Sequence, residues 1–368
     1  MVYTPRFNTA EELLQNSIDK RRAESMAVLT QVQNNVPQDS LVRTASVVFQ
    51  PGEGELLMAG GDWQRPLTRH ALGQASSRVG FPQGYAADVM AEKGGVGREV
   101  VARALTTLYA AEDPERKFLV RAVNGKVHGV LSDAYRRLDA RPGLDAFISA
   151  VQKVGAVPYG GVVTDTRVQV KAILPRIFTL GSTVTDPHGT RFTDQIIIGL
   201  AWSNSDFGVG KYSLNLYTER VRCLNGMIME ALFATRHVGG RLEEGDFFSE
   251  RTHKLDTATM VSATKDYVTA HLAPSAVEKT VGLLQAAASK SLDLESEING
   301  VLKRALTKGE IKGLTSALQS VNENEMPLGP PTPYRMANAL AWLANSDETE
   351  PDRKLDLQKL AGTYLKAA

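Results

Sequence analysis

The sequence predicts an α+β protein: a twisted antiparallel sheet with packed helices, followed by an all-helical C-terminal region. Three observations predict it. Between Arg191 and Thr218, two long runs alternate at the two-residue period of a strand and are joined by a polar, glycine-containing turn. Asn124-Gly125 stands between two more alternating runs, the signature of a type I′ hairpin. From about Thr257 the texture changes to helically spaced segments rich in Ala, Leu, Lys and Glu.

Taken in order, residues 1–40 read as a polar lead-in with one amphipathic helix. Thr9 caps it, Glu12 completes a capping box, and Leu13 and Leu14 open its apolar side. Residues 41–59 alternate like strands, broken at Pro51-Gly52-Glu53-Gly54. Helices are expected near 67–79, 83–92 and 97–110, the last with Val100, Val101, Ala104, Leu105 and Leu108 on its apolar side. The hairpin at 117–131 follows. Its two-residue turn should set Val123 opposite Lys126, Arg121 opposite His128 and Leu119 opposite Val130. A helix at 143–154 and strands around 157–164 and 167–174 lead to the central stretch, with Pro175 ending the last strand.

In that stretch Phe192, Asp194, Ile196, Ile198, Leu200 and Trp202 share one face. In the next strand Tyr212, Leu214, Leu216 and Thr218 share one face, and Lys211, Ser213, Asn215 and Tyr217 the other. Each strand should therefore have one wet face and one core face, as in a sheet covered on one side. Ser203 to Gly210 is turn chemistry. A helix is expected to open at Asn225-Gly226 and to end at His237-Val238-Gly239-Gly240. Further helices are expected at 257–271, 274–289, 292–306 and 310–321, with Ser275 and Asp293 as caps. A Pro-rich linker at 326–333 then precedes helices at 334–345 and 353–366. The resulting division is a lead-in at 1–40, an α+β core at 41–245, a helical region at 246–322, and linker plus terminal helices at 323–368.

Composition narrows the class. Of 368 residues, 43% are hydrophobic and 23% charged, as in a globular protein of the cytoplasm, and no apolar run approaches the ~20 residues of a membrane helix. The single cysteine, Cys223, allows no internal disulfide framework and fits a reducing compartment. The formal net charge of +1 is unevenly spread. From Arg116 to Arg176 eleven basic residues face four acidic ones, a balance of +7, while acidic residues collect near 243–246 and 347–350. A basic middle is an electrostatic footprint for a polyanion, although solvated strand faces are also rich in Lys and Arg.

Catalytic patterns are weak throughout. Phe207 to Tyr212 lacks the first glycine and the closing Ser or Thr of a phosphate loop, with Ser205 and Tyr212 in their places. Gly94-Gly95-Val96-Gly97-Arg98 precedes a helix whose N-terminus could hold an anion, but it also reads as a plain loop. Asp133 with Asp139, or Asp186 near His188, match no metal-ligand spacing, and His70 has no second ligand. No Gly-x-Ser-x-Gly elbow occurs. No enzyme activity, metal or cofactor is expected.

What remains is aromatic residues interleaved with cations: Tyr135 with Arg136 and Arg137, and Lys211 with Tyr217 on one strand face. Arg121 and Lys126 share a hairpin face, and Arg167 and Lys171 add cations on another strand. Unpaired bases stack on aromatic rings while Lys and Arg neutralise phosphates. Tyr and Arg are equally at home on plain sheet faces.

Three segments carry a family resemblance: Val130 to Asp139 after the hairpin, the Ser203 to Gly208 turn, and Arg220 to Met227 leading to Arg236-His237-Val238-Gly239. With Thr332 to Leu340 they resemble the phage/plasmid-like family classed as a domain of unknown function, over roughly residues 40–345. That family supplies no catalytic residues to carry over. The resemblance implies a bacteriophage or mobile-element setting in a bacterial cytoplasm, and raises the expectation of DNA metabolism. Phage single-strand annealing proteins offer a fold-level analogy: a small antiparallel sheet with helices and a basic groove, assembled into rings or filaments. The expectation is thus a non-catalytic, homo-oligomeric protein that binds and anneals single-stranded DNA. In it Arg121, Lys126, Arg136, Arg137, Arg167, Lys171 and Lys211 contact phosphate, and Tyr135 or Tyr217 stacks. The alternative is an assembly factor that binds a protein partner through its helical C-terminus.

Overall fold

The computed structural model describes residues 9–185, 191–221, 226–236, 249–319, 331–346 and 349–366. Helix α1 (Ala10–Asn34) leads into β1 (Gln38–Arg43), β2 (Val47–Pro51), β3 (Leu56–Gly60) and β4 (Trp63–Pro66). Helices α2 (Arg69–Arg78) and α3 (Gln83–Ala110) follow, then β5 (Lys117–Val123), β6 (Lys126–Ser132) and α4 (Ala140–Lys153). Strands β7 (Val157–Val163), β8 (Val168–Ile173), β9 (Phe178–Thr185), β10 (Arg191–Asn204), β11 (Lys211–Arg220) and β12 (Gly226–Arg236) build the large sheet. The rest is helical: α5 (Glu250–His271), α6 (Pro274–Ser289), the short α7 (Leu294–Glu297) and α8 (Lys303–Ala305), α9 (Lys308–Gln319), α10 (Pro333–Ala344) and α11 (Pro351–Lys366). This is the expected α+β class.

The strands form three antiparallel sheets, ordered β1-β5-β6, β2-β3-β4 and β12-β11-β10-β8-β7. Strand β10 is long enough to border β9 with its first half and β8 with its second, while β11 flanks its other edge. The caps at Thr9 and Asp293 form as their sequences require: Thr9 and Glu12 make both capping-box bonds, and Asp293 accepts from the Ser296 amide. The cap expected at Ser275 is instead Ala273, with Pro274 opening α6.

Three expectations are corrected. Asn124 (φ 49°) and Gly125 (φ 77°) do make the tight hairpin turn. A bulge between Arg121 and Ala122, however, sets Arg121 opposite Gly129 and Leu119 opposite Leu131, so His128 leaves the Arg121 position. Residues 226–236 form strand β12 where a helix was expected. Met227 and Met229 enter one core and Ile228 the other, so neighbouring residues are all apolar and the two-residue period vanishes. The expected helix end at residues 237–240, together with Cys223, Asp186 and His188, lies outside the described residues. The helices expected at 83–92 and 97–110 run on as α3, bent at Gly94 (φ 55°, ψ −123°). A Cβ on Gly97 would lie 2.1 Å from the Val89 carbonyl oxygen, so the two arms touch backbone to backbone.

The wet sheet face is the third correction. One face, carrying Ile196, Ile198, Leu200, Trp202, Tyr212 and Leu214, meets α4 and the C-terminal helices in the main core. The other carries Ile197, Ala201 and Tyr217 and is covered by Leu14 and Ile18 of α1. The lead-in helix is therefore a lid on the sheet, and the terminal helices share the main core with it, Leu340 and Leu357 being wholly buried. A second core, from Val42 to Val130, is enclosed by β2, β3, α2, α3 and the β5–β6 hairpin.

Candidate nucleic-acid interface

The turn between β10 and β11 is where the two cores meet, and backbone oxygens along it are claimed one after another. The Ser205 oxygen accepts from the Tyr135 hydroxyl at 3.2 Å. The Asp206 oxygen accepts from Arg121 at 2.9 Å, and the Phe207 oxygen from His70 Nε2 at 3.0 Å and Gln74 Nε2 at 2.8 Å. The Ser205 hydroxyl donates to the Thr166 oxygen at 2.7 Å. The Asp206 carboxylate caps α4 by accepting from the Ala140 amide at 2.9 Å. Gly208 (φ +79°) brings the chain so close to β6 that an added Cβ would lie 2.7 Å from Leu131. Burial pushes the Asp206 carboxyl up from its ordinary value, against the pull of the Arg121 guanidinium. Burial likewise pushes His70 down.

The structure separates the nine expected contact residues. Arg121 is 1% exposed and is held by Asp39 at 2.8 Å and Asp139 at 2.5 Å, so it positions the turn and reaches no ligand. Tyr135 and Tyr217 present no free ring: Tyr135 is buried against Arg121 and Leu131, and Tyr217 is buried with its hydroxyl on Glu219. Tyr217 lies on the strand face expected to be wet, which is covered, while Tyr135 folds back from the turn after β6 onto Leu119 and Leu131. Lys126 pairs with Glu55 at 2.5 Å, and Arg136 forks onto Asp256. Arg137 lies between Asp39 at 3.5 Å and Glu250 at 3.4 Å, and Arg167 bonds Asp356 at 3.2 Å. Lys171 is half-buried, its Nζ 4.8 Å from the centre of the Tyr217 ring. Lys211 alone of the nine is exposed and without an ion pair among the described residues.

Lys211 borders an open groove of about 660 Å³ beside the turn. His70, Gln74 and Arg78 of α2 line one wall, and Ser132, Tyr135 and Gly208 to Lys211 the other. Among the described residues no carboxylate lines it, and Asp133 acts electrostatically on Arg78. Lys359 of α11 stands close by, pushed down by burial and by repulsion from Arg167 and Lys211. The two walls were invisible as a group in the sequence, because α2, β6 and the turn are far apart along the chain. The polar turn itself was the only signal that could have led to them.

Among the described residues, no three His, Cys, Asp or Glu side chains cluster as metal ligands, and no helix is long and apolar enough to cross a membrane. No family model matches the chain, and neither does any curated protein or any solved structure.

Lys171 gives a pH test of the sheet's covered face. Burial, then repulsion from Arg21, lowers its ammonium from 10.5 to about 8, against the pull of Glu219. The folded chain releases this proton at a lower pH than the unfolded chain does. Stability therefore rises with pH between about 8 and 10.5 on its account. Urea unfolding at stepped pH should show Lys171→Met gaining on the parent at neutral pH and losing that gain across the same window. A pH-independent difference would mean the amine is not buried as described.

Proposed function

We propose that the chain binds a single strand of nucleic acid without cutting it, along the groove beside the β10–β11 turn. The observation that carries this reading is the groove's lining: Arg78 and Lys211, the amides of Gln74 and Gln83, and hydroxyls, with no carboxylate among the described residues. Phosphates are recognised by such donors, and an open groove admits a strand without reading its sequence. The cations of the hairpin and the 136–137 pair, occupied by carboxylates, then serve the fold. The resemblance to the phage/plasmid-like family implies a setting in DNA metabolism, and the fold-level analogy with phage annealing proteins extends the proposal to strand annealing in a ring or filament of identical chains. An assembly role for the C-terminus has less support, because α10 and α11 belong to the main core.

Fluorescence anisotropy of a labelled oligo-dT, titrated at two salt concentrations, tests the reading. Tight binding that weakens with salt is expected, with the strand left intact when magnesium is added. Lys211→Glu should weaken it and flatten the logarithmic salt slope by about 0.7, the share of one single-strand phosphate contact. No binding at low salt would remove the proposal, and an unchanged slope would remove Lys211 from it.

A further inference from the structure

On the opposite side of the turn from the groove lies a smaller cavity of about 230 Å³. It is built where the end of α1, the β5–β6 hairpin, the start of α4 and the β7–β8 turn converge on Asp206 and Phe207. Its size selects a narrow range of ligands. An apolar cavity of ~150 Å³ takes up a benzene ring, and drug-sized ligands occupy ~300 Å³ or more. One or two fused rings fit between these limits.

The walls are suited to a flat ring. Val32, Val123, Val163 and Val168 are apolar, and Phe207 and His128 pack together with ring centres 5.0 Å apart and planes 31° apart. The polar groups include the Asp206 carboxylate as acceptor and the side-chain amides of Gln31 and Asn35, which carry donors. Asp206 Oδ1 takes the Ala140 amide and the Asn204 side-chain amide, both at 2.9 Å, while Oδ2 has no donor among the described residues. His128 Nδ1 lies 3.2 Å from the Asp165 carbonyl oxygen, which can only accept. A proton is therefore assigned to Nδ1, facing that oxygen. Arg167 gives Nη1 to Asp356 at 3.2 Å, and its Nε has no hydrogen-bond partner among the described residues.

We propose that this cavity binds one flat nitrogen heterocycle bearing an amino group, a nucleobase of the adenine, cytosine or guanine kind, stacked beside Phe207 and His128 with its N–H on Asp206 Oδ2. Uracil and thymine, which turn two carbonyl oxygens towards the carboxylate, are disfavoured. The base comes from a free nucleoside or from an unpaired position of a bound strand, and only the second source rests on the strand-binding reading.

Calorimetric titration of the full chain at pH 8 with cytidine, adenosine, guanosine and uridine tests the site. The amino-bearing nucleosides should bind, with uridine at least tenfold weaker. Val163→Phe fills the cavity without touching the turn and should abolish binding while leaving the thermal midpoint near the parent's. Should that variant fail to fold, His128→Ala removes one stacking wall and should weaken binding at least fivefold. No heat from any nucleoside at millimolar concentration overturns the proposal. So does equal affinity for uridine and cytidine, or unchanged binding by the variant that folds. A second arm compares oligo-dT with the same strand carrying one central cytosine, where a gain lost in the variant identifies the strand as a source. If oligo-dT binds and no nucleoside does, the cavity proposal falls and the strand-binding reading stands. If nucleosides bind and no strand does, the reverse holds.

Discussion

Arg121→Leu is expected to lower the unfolding free energy by about 3 kcal/mol, the low end of the cost of removing one partner from a buried ion pair. The low end applies because the carboxylates it would strand, Asp39 and Asp139, are 23% and 38% exposed and keep part of their hydration. The loss has a second part. The Asp206 carbonyl would forfeit its donor, loosening the turn that joins the two cores. Arg121→Lys keeps the charge but cannot reach Asp39, Asp139 and the carbonyl together, so its loss should fall between leucine and the parent. Urea denaturation decides this, and a loss below about 1 kcal/mol for leucine would show that the cluster is not buried in solution.

Gly362→Val should be at least as damaging, through a backbone contact instead of an ion pair. Helix α11 lies directly on the backbone of β12: a Cβ at Gly362 would stand 1.9 Å from the Ile228 oxygen and 2.8 Å from the Met229 Cα. Backbone cannot turn aside as a side chain can, so the helix must lift. Overpacking of this kind costs about 1–3 kcal/mol where side chains can adjust, and more where they cannot. Lifting would also uncover Leu357, Ala361 and Leu365, which belong to the main core. The expected result is a large drop in thermal midpoint with binding of an apolar dye. An unaltered midpoint would mean that α11 is not seated on the sheet.

How much of this was legible depended on which physical signal each residue leaves in the sequence. Asn124-Gly125 announces its turn because few residues take positive φ there, and Thr9 with Glu12 announces a helix start because the cap is local. Strands β10 and β11 showed their period, but not that Tyr217 and Glu219 are buried, since what covers them, α1, lies some 200 residues earlier. Strand β12 lost its period for the same reason: both faces are covered. The candidate site was the least legible part. A cation's sequence neighbours do not disclose its partner, and Arg121 finds Asp39 from 82 residues away while Arg136 finds Asp256 from 120. Of the eleven cations behind the local balance of +7, Arg116, Arg121, Lys126, Arg136, Arg137 and Arg167 sit in ion pairs, and Lys211, the exposed cation of the nine expected contacts, lies outside that stretch.

The Arg21–Glu219 bond spans 198 residues and fastens the first helix to a strand made much later. During synthesis at ~5–20 residues per second, α1 leaves the ribosome about 10–40 s before its receptor strand exists. Through part of that interval Leu14 and Ile18 have only Tyr159 and Ile173 of their seat and still lack Ile197, Tyr217 and Ile228, which makes the nascent helix a natural client for a chaperone that shields apolar segments.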